Sequence, residues 1–315
     1  MTSEHAVREL AEALLASPTV RLGDDVEPAW RDTLASWAHA NGLELTRDAA
    51  TLAITTRPAH AVGASWVHSP FAGVEHLAPA LADQVLLTRT TGTMPHRIAE
   101  YVLAWVFAER WQTARYVADS ATATWDPSDP PAPRARDGAV VIGTGAMGRA
   151  IARTLAVVGH RVTGLSRSGH PDDAFDVVLP LAEMHRTPAL DGPGADVLVL
   201  ALPHTPQTAG LITPELLRAF DGVHLLNIGR GSAIRTDTLL DAIATGHVRH
   251  ATLDVTEEEP LGASSPLWRR PEITVTPHVS GLTLSSDVVA GLDAALKAIR
   301  AGVRPASAVA LDRGY

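Results

Sequence analysis

Three short stretches carry polar side chains of the kinds that move protons and hold anions. They are Asn227-Ile228-Gly229-Arg230-Gly231, Asp254-Val255-Thr256-Glu257-Glu258-Glu259-Pro260 and Thr276-Pro277-His278-Val279-Ser280-Gly281. Each follows an apolar run that reads as a β-strand, over 223–228, 251–254 and 273–276. In an open parallel sheet, ligands bind beyond the carboxyl ends of the strands, so all three stretches project to one working face. The chemistry open to such a set is narrow. When hydride reaches a carbonyl carbon, negative charge gathers on oxygen and an acid must supply a proton. Histidine titrates near neutrality and suits that task. A neighbouring carboxylate holds its imidazolium in place, and an arginine binds a substrate carboxylate while polarising the carbonyl. An arginine, a glutamate and a histidine so placed describe reduction of a 2-oxo acid. Singly each is ordinary, since a lone histidine is more often structural and a glutamate run more often a solvated face. Their joint placement at adjacent strand ends carries the reading.

Such chemistry needs a hydride source, and residues 138–168, GAVVIGTGAMGRAIARTLAVVGHRVTGLSRS, have the pattern of a dinucleotide site. Ala139-Val140-Val141-Ile142 reads as a strand buried on both faces. Gly143-Thr144-Gly145-Ala146-Met147-Gly148 follows, then a helix with Ile151, Leu155 and Val158 on one face, then a second strand over 161–165. This is a βαβ unit with G-x-G-x-x-G at its first turn: Gly143 for the turn, Gly145 for backbone approach to a pyrophosphate, Gly148 for close helix packing. The helix N-terminus favours the anion. The second strand ends in Ser166-Arg167-Ser168, with no carboxylate until Asp172. An acidic residue at this place selects NAD; a guanidinium between two hydroxyls suits the 2′-phosphate of NADP(H) better, the bland reading being a solvated arginine.

Composition sets the frame. The 315 residues are 46% hydrophobic and 19% charged, enough for two domains. A net charge of −9 argues against nucleic acid as a partner. With no cysteine, disulfides, thiolate zinc sites and cysteine nucleophiles are excluded. The polar start MTSEHAVREL lacks a signal-peptide apolar core, and no apolar run reaches membrane-spanning length, so the expectation is a cytoplasmic protein without a membrane partner. His247-Val248-Arg249-His250 is the densest histidine pair; lacking an acidic or thiol neighbour, it reads as a solvated helix-to-strand loop, and no metal site is expected.

Along the chain, helices are expected over 7–15 and 30–40, and strands over 19–22, 43–46 and 52–55, a small parallel α/β layer. Trp30 and Trp37 read as packing residues. Residues 66–77, WVHSPFAGVEHL, read as a strand running into a helix, with Gly73 at the turn as either an anion grip or an ordinary loop. A strand over 85–89 and a turn at Thr91-Gly92-Thr93 lead to one long helix over 95–115, a connector between domains. The Pro-rich stretch 126–136 reads as an exposed loop. Further strands are expected over 176–179 and 196–202, helices over 214–220 and 236–245, and a last helix over 286–301.

The motifs SPFAGVEHL, RIAEYVLAWVFAERW, VVIGTGAMGRAIA, LPHTPQTAGLI, LLNIGRGSAI, TLDVTEEEPL, TPHVSG and the closing ALDRGY occur in an order and spacing that resemble the D-isomer-specific 2-hydroxyacid dehydrogenase family, in particular its glyoxylate and hydroxypyruvate reductase branch. The resemblance spans residue 66 to the C-terminus. It implies two Rossmann-like α/β domains: a dinucleotide-binding doubly wound parallel sheet over 94–284, and a smaller flavodoxin-like substrate domain over 1–93 completed by 285–315. It implies Arg230 on the substrate carboxylate and carbonyl, Glu259 supporting His278, and His278 as proton donor in reduction. Ala72 and Gly73 match a backbone clamp on the substrate carboxylate. Gly143, Gly145, Ala146, Met147, Gly148, Ser166, Arg167, Ser168, Leu202, Pro203, Ile228, Arg230, Asp254, His278 and Ser280 match cofactor-binding positions, Asp254 and the Ile228 carbonyl towards the nicotinamide amide. A homodimer is implied, with the long helix, the following loop and Trp125 at its interface, and an active site in the cleft between domains. His204 departs from the family's usual residues, and the first 60 residues match only loosely. Two other readings use the same motifs: an NAD(P)H sensor of the corepressor kind with little turnover, and phosphite-type oxidation. Glu259 stands where formate enzymes carry glutamine.

Overall fold

The computed structural model describes residues 4–128, 130, 138–186 and 194–311. Most of the Pro-rich stretch and the end of ALDRGY lie outside the described residues. The chain divides into two compact units, residues 1–94 with 282–315, and residues 95–281. Among the described residues no helix is long and apolar enough to cross a membrane.

Unit 1 is built on strands β1 (Thr19–Leu22), β2 (Glu44–Leu45), β3 (Leu52–Ile54), β4 (Trp66–Ser69) and β5 (Leu86–Arg89), all parallel and ordered β2-β1-β3-β4-β5. That order is the flavodoxin-like doubly wound one. Alternation along the strands divides the core. Leu52, Ile54, Trp66 and Leu86 pack with Leu10 and Leu14 of α1 (Glu4–Ala16), Leu34 and Trp37 of α2 (Arg31–Ala40), and Val288, Leu292, Leu296 and Ile299 of α9 (Ser285–Arg300). Ala53, Val67 and Leu87 face the other way, against Ala61 of α3 (Pro58–Ala61), Val74, Leu77 and Val309. The expected helix after β4 does not form: Ser69 folds the chain into a turn, and a short 3-10 turn follows only at Ala78–Ala80. Gly73 therefore stands at no helix N-terminus. The apolar pair Val74 and Leu77 has helical spacing but is buried by packing of a loop.

Thr93, just before the helix that follows, offers its backbone N–H and its side-chain hydroxyl as donors. Both donate to Asp287 Oδ1 at 2.9 Å, and Leu284 N–H reaches Oδ2. One buried carboxylate thus ties the place where the chain leaves unit 1 to the place where it returns.

Unit 2 contains α4 (Met94–Arg110, from Pro95), α5 (Thr113–Ala121), β6 (Gly138–Ile142), α6 (Ala146–Val157), β7 (Arg161–Ser166), β8 (Val177–Pro180), β9 (Ala195–Leu200), α7 (Pro214–Leu217), β10 (Val223–Asn227), α8 (Thr236–Ala244), β11 (Val248–Leu253) and β12 (Ile273–Val275). The strands are parallel, in the order β12-β11-β10-β9-β6-β7-β8. This is the doubly wound dinucleotide-fold order, with its switch point between β6 and β9. β6 and β9 are buried throughout, which explains their uninterrupted apolar sequence. The single long helix expected over 95–115 is broken: Gln112 is left-handed with φ 49°, and α5 starts a new direction with no buried residue. Nothing in the polar-apolar pattern marks that break, because Trp111 and Val117 continue the helical spacing yet lie exposed.

Residues 247–250 also differ from expectation, since all but His247 belong to β11. Arg249 donates to both oxygens of Glu109 on α4 at 3.0 Å and lies 3.1 Å from Asp196. The buried His224 ring stacks edge-on to His250 at 5.2 Å and bonds Thr252, while His250 reaches Thr274. Burial pushes the His250 imidazole below its ordinary value. These polar residues are strand residues because partners distant in sequence receive them.

In unit 1, His68 on β4 is fully buried, with its two ring nitrogens at 2.8 Å from the Thr88 hydroxyl and 3.0 Å from the Thr90 hydroxyl. Burial pushes it down to about 3, from 6.5. The unfolded chain therefore takes up a proton that the folded chain refuses, so this contribution to stability is present above pH 6.5 and lost as pH falls from there towards 3. Hydrogen exchange of β4 and β5 amides should accelerate across that window, and His68→Asn should flatten the dependence. An equal pH slope in the variant would remove His68 as its cause.

Candidate active site

The carboxyl edge of the seven-stranded sheet presents six loops in spatial order: the His278 loop after β12, the Glu259 loop after β11, Arg230 after β10, Leu202-Pro203 after β9, the glycine loop after β6 and Ser166-Arg167-Ser168 at the end of β7. Parallel strands place all of them at one edge.

Asp254 holds the His278 loop. Its carboxylate is buried and accepts the Thr276 hydroxyl at 2.6 Å, Val279 N–H at 2.8 Å and Ser280 N–H at 2.9 Å, while its main-chain carbonyl accepts His278 N–H at 2.9 Å. His278 lies in the left-handed region at φ 53°, which costs a non-glycine residue energy and is sustained by these bonds. Tyr101 on α4 adds a further prop, its hydroxyl 2.6 Å from that of Thr276; since Thr276 donates to Asp254, Tyr101 is the donor. Burial pushes the Tyr101 hydroxyl up to about 12, so it keeps its proton.

Glu259 bridges two groups. One carboxylate oxygen accepts Thr256 N–H at 3.1 Å and the other lies 2.9 Å from His278 Nδ1. With Nδ1–H donated to Glu259, His278 Nε2 is the atom left to give or take a proton. The pair is 49% and 39% exposed, so it can be reached by a ligand. Glu257 and Glu258 are exposed as expected, and Glu257 additionally accepts Thr236 N–H at the start of α8.

Arg230 is positioned by Asn227, whose amide donates to the Arg230 carbonyl and whose oxygen accepts Gly229 N–H. Arg230 itself donates to the Gly229 carbonyl. Gly231 brings this loop against the Glu259 loop: a Cβ there would lie 1.9 Å from the Thr256 carbonyl oxygen, so only glycine permits the approach. At the phosphate end, a Cβ on Gly148 would lie 1.9 Å from the Gly143 carbonyl oxygen, which fixes glycine there too.

The glycine loop fits a dinucleotide. A Cβ on Gly145 would meet nothing within 4 Å, so the space before α6 is open, and no side chain caps the helix at Gly145. The first intrahelical bond runs from Arg149 N–H to the Gly145 carbonyl, leaving the amides of Ala146, Met147 and Gly148 ahead of it, turned towards that space. Arg167 and Ser168 are exposed; Ser166 accepts Gly169 N–H, and Asp172 is engaged by Arg149. His204 is exposed and bonded to the Ser232 hydroxyl. Ala72 and Gly73 belong to unit 1.

One acid-histidine group, Asp24, Asp25 and His60, has metal-ligand atoms within 4.8 Å of one another among the described residues. Asp25 is taken up by Thr55, by the N–H and hydroxyl of Thr56 and by His60; although burial opposes it, these bonds hold its carboxyl well below the usual range. The group reads as a clasp between the loops after β1 and β3.

The sheet order, the open glycine loop and the paired carboxylate and imidazole define a dinucleotide-dependent α/β oxidoreductase. Residues 103–280 match the model for the D-isomer specific 2-hydroxyacid dehydrogenase, NAD binding domain. The chain is 38% identical over 255 residues to an uncharacterised protein from the mprR 3′ region of Streptomyces coelicolor, covering 79% of this chain and 89% of that one. It is 33% identical over 225 residues to the glyoxylate/hydroxypyruvate reductase A of Yersinia enterocolitica, 70% of each chain. The crystal structure of an NADPH-dependent glyoxylate/hydroxypyruvate reductase from Sinorhizobium meliloti, with NADP and sulfate bound, is similar with a TM-score of 0.82 and 26% identity, over 94% of this chain and 99% of that one. The chain belongs to the D-isomer specific 2-hydroxyacid dehydrogenase family, and is an NAD(P)-dependent oxidoreductase.

The sequence reading placed Asn227 and Thr276 in its polar stretches but gave neither them nor Tyr101 a role, because each acts by holding another residue rather than by a recognisable type and spacing. Asp254→Asn keeps the volume but sets an amide NH₂ against two N–H donors and a hydroxyl. It should destabilise unit 2 by about 1–3 kcal/mol and speed hydrogen exchange over 276–280, measured by mass spectrometry.

Proposed function

We propose that the protein reduces a small 2-oxo acid of the glyoxylate or hydroxypyruvate kind to the D-2-hydroxy acid, with NADPH preferred over NADH. The observation that carries this is the Glu259–His278 pair, 2.9 Å apart and open to a ligand. Bound NADPH supplies the hydride. The residues that would hold it follow the loop order of the sheet: Leu202, Pro203, Ile228, Arg230, Asp254, His278 and Ser280 towards the nicotinamide, Gly143, Gly145, Ala146, Met147 and Gly148 on the pyrophosphate, and Ser166, Arg167 and Ser168 on the 2′-phosphate.

Arg230 binds the substrate carboxylate and draws charge onto the carbonyl oxygen. His278 Nε2 gives that oxygen its proton as charge develops, and Glu259 offsets the imidazolium charge and fixes the ring. Ala72 and Gly73 of unit 1 offer backbone N–H groups to the carboxylate. Unit 1 is thus the substrate domain and unit 2 the cofactor domain. The identity of the relatives supports the substrate class, and the exposed Arg167, with Asp172 engaged by Arg149, supports the cofactor preference. The exposed Trp111, Val117 and Trp125 support a homodimer, which light scattering tests.

Loss of dihydronicotinamide absorbance with glyoxylate, hydroxypyruvate and larger 2-oxo acids measures the reaction. His278→Gln should lower kcat roughly 10²–10⁴-fold, with NADPH binding by fluorescence kept within a few-fold. Tight NADPH binding by the native protein with no turnover on any acid would favour the sensor reading instead, and turnover of phosphite with NADP⁺ would favour oxidation. Arg167→Ala removes a charge-assisted contact of about 1.5–3 kcal/mol. It should raise KM for NADPH about 10–100-fold, the rate equivalent of that energy, and leave KM for NADH unchanged.

A further inference from the structure

The loop after β4 carries two peptide groups whose carbonyl oxygens are both occupied from the protein side. The Phe71 carbonyl accepts the Ser69 hydroxyl at 2.9 Å, and that same hydroxyl oxygen accepts Phe71 N–H at 3.2 Å. The Ala72 carbonyl accepts Arg89 Nη1 at 2.9 Å. Among the described residues, the N–H groups of Ala72 and Gly73 meet no acceptor. The peptides are trans, and in a planar trans peptide the N–H points opposite to the C=O. Anchoring the Phe71 and Ala72 carbonyls therefore aims the Ala72 and Gly73 N–H groups away from their anchors.

Arg89 is well placed to act as a fixed anchor. It ends β5, directly opposite Ser69 in the β4–β5 register, so one rung of the sheet holds both anchors. The outer edge of β5 is itself secured: Thr88 bridges Ala308, Arg89 N–H donates to the Ser307 carbonyl, and Val309 N–H donates to the Leu87 carbonyl. The Phe71 ring, 5.8 Å from that of Trp30, steadies the loop from a third direction. A cationic donor on a carbonyl also polarises the peptide, which makes its N–H a stronger donor to an anion.

We propose that Arg89 is a positioning residue for substrate binding: its guanidinium fixes and polarises the Ala72–Gly73 peptide so that the Gly73 N–H is presented to the substrate carboxylate. This rests on the proposed role of Ala72 and Gly73 as a carboxylate clamp. Arg89 does not touch the substrate, and acts through the peptide it holds.

The test uses the NADPH-loaded full chain, with oxamate as a carboxylate probe that needs no turnover and glyoxylate as substrate. Arg89→Met should raise KM for glyoxylate and the oxamate Kd together, about tenfold, the order expected for one charge-assisted bond. The kcat should stay within about threefold and NADPH affinity should not change, since an interaction with the carboxylate is equal in ground and transition states. Arg89→Lys, which can still donate to the Ala72 carbonyl, should recover most of the loss and serves if the methionine variant folds poorly. Gly73→Pro, which removes the N–H, should abolish oxamate binding. If Gly73→Pro abolishes it and Arg89→Met leaves both constants unchanged, the Arg89 proposal is overturned and the clamp stands. If Gly73→Pro binds oxamate normally, the clamp falls, and the role of Arg89 with it. A fall in kcat at constant KM in Arg89→Met, unrelieved by lysine, would also overturn it.

Discussion

A single buried carboxylate underlies the chemistry of unit 2. Asp254 gathers two amides and a hydroxyl from the loop beyond β12, and so bends that loop back over the end of β11. The bend forces His278 into a left-handed backbone conformation, and from there its imidazole meets Glu259. Strain of this kind persists only where the surroundings over-determine it. Here they do, through Asp254, through Thr276 and through the hydroxyl of Tyr101 on a helix far away in sequence.

Chemistry and cohesion lie at opposite edges of the same sheet. The carboxyl edge carries the glycine loop, the Arg230 loop and the His278 imidazole. The amino edge carries Arg249 locked between Glu109 and Asp196, with His224 and His250 packed ring to ring beside it. A half-buried ion cluster of this sort adds little net stability over an apolar replacement, but loss of Arg249 would strand the buried Asp196. Its geometric effect is definite: it fixes the end of α4 against the sheet whose far edge uses Tyr101 from the same helix.

Much of this was legible in the sequence, for physical reasons that differ by residue. Buried parallel strands such as 139–142 and 196–200 are recognisable because both faces demand apolar side chains. Gly148 is recognisable because it closes a G-x-G-x-x-G turn at which no other residue fits. Arg230 and His278 stand out because side chains with such chemistry follow strands, and the family resemblance singled out Glu259 from three consecutive glutamates. Three features were not legible. The break at Gln112 leaves no trace in polarity. Val74 and Leu77 have helical spacing without a helix. Arg249 and His250 look like loop residues until Glu109 and Thr274 are brought to them by the fold. Arg89 belongs to the same class, since its partner is a backbone carbonyl and no side-chain pattern announces it.

The path of the chain also bears on how the protein comes off the ribosome. Unit 2 is one continuous stretch, 95–281, whereas unit 1 is assembled from the two ends of the described chain. Leu10, Leu14 and Trp37 share their core cluster with Val288, Leu292 and Ile299 of α9. An amino-terminal domain ordinarily folds first during synthesis. Here residues 1–94 lack five members of that cluster, Val288, Leu292, Ala295, Leu296 and Ile299, until 282–315 has been made, while 95–281 carries a core of its own. Asp287, reaching back to Thr93, then fastens the returning segment to residues 1–94. Completion of the unit 1 core therefore requires a segment made after the whole of unit 2, and until then the faces of α1 and α2 that pack on α9 lack that cover.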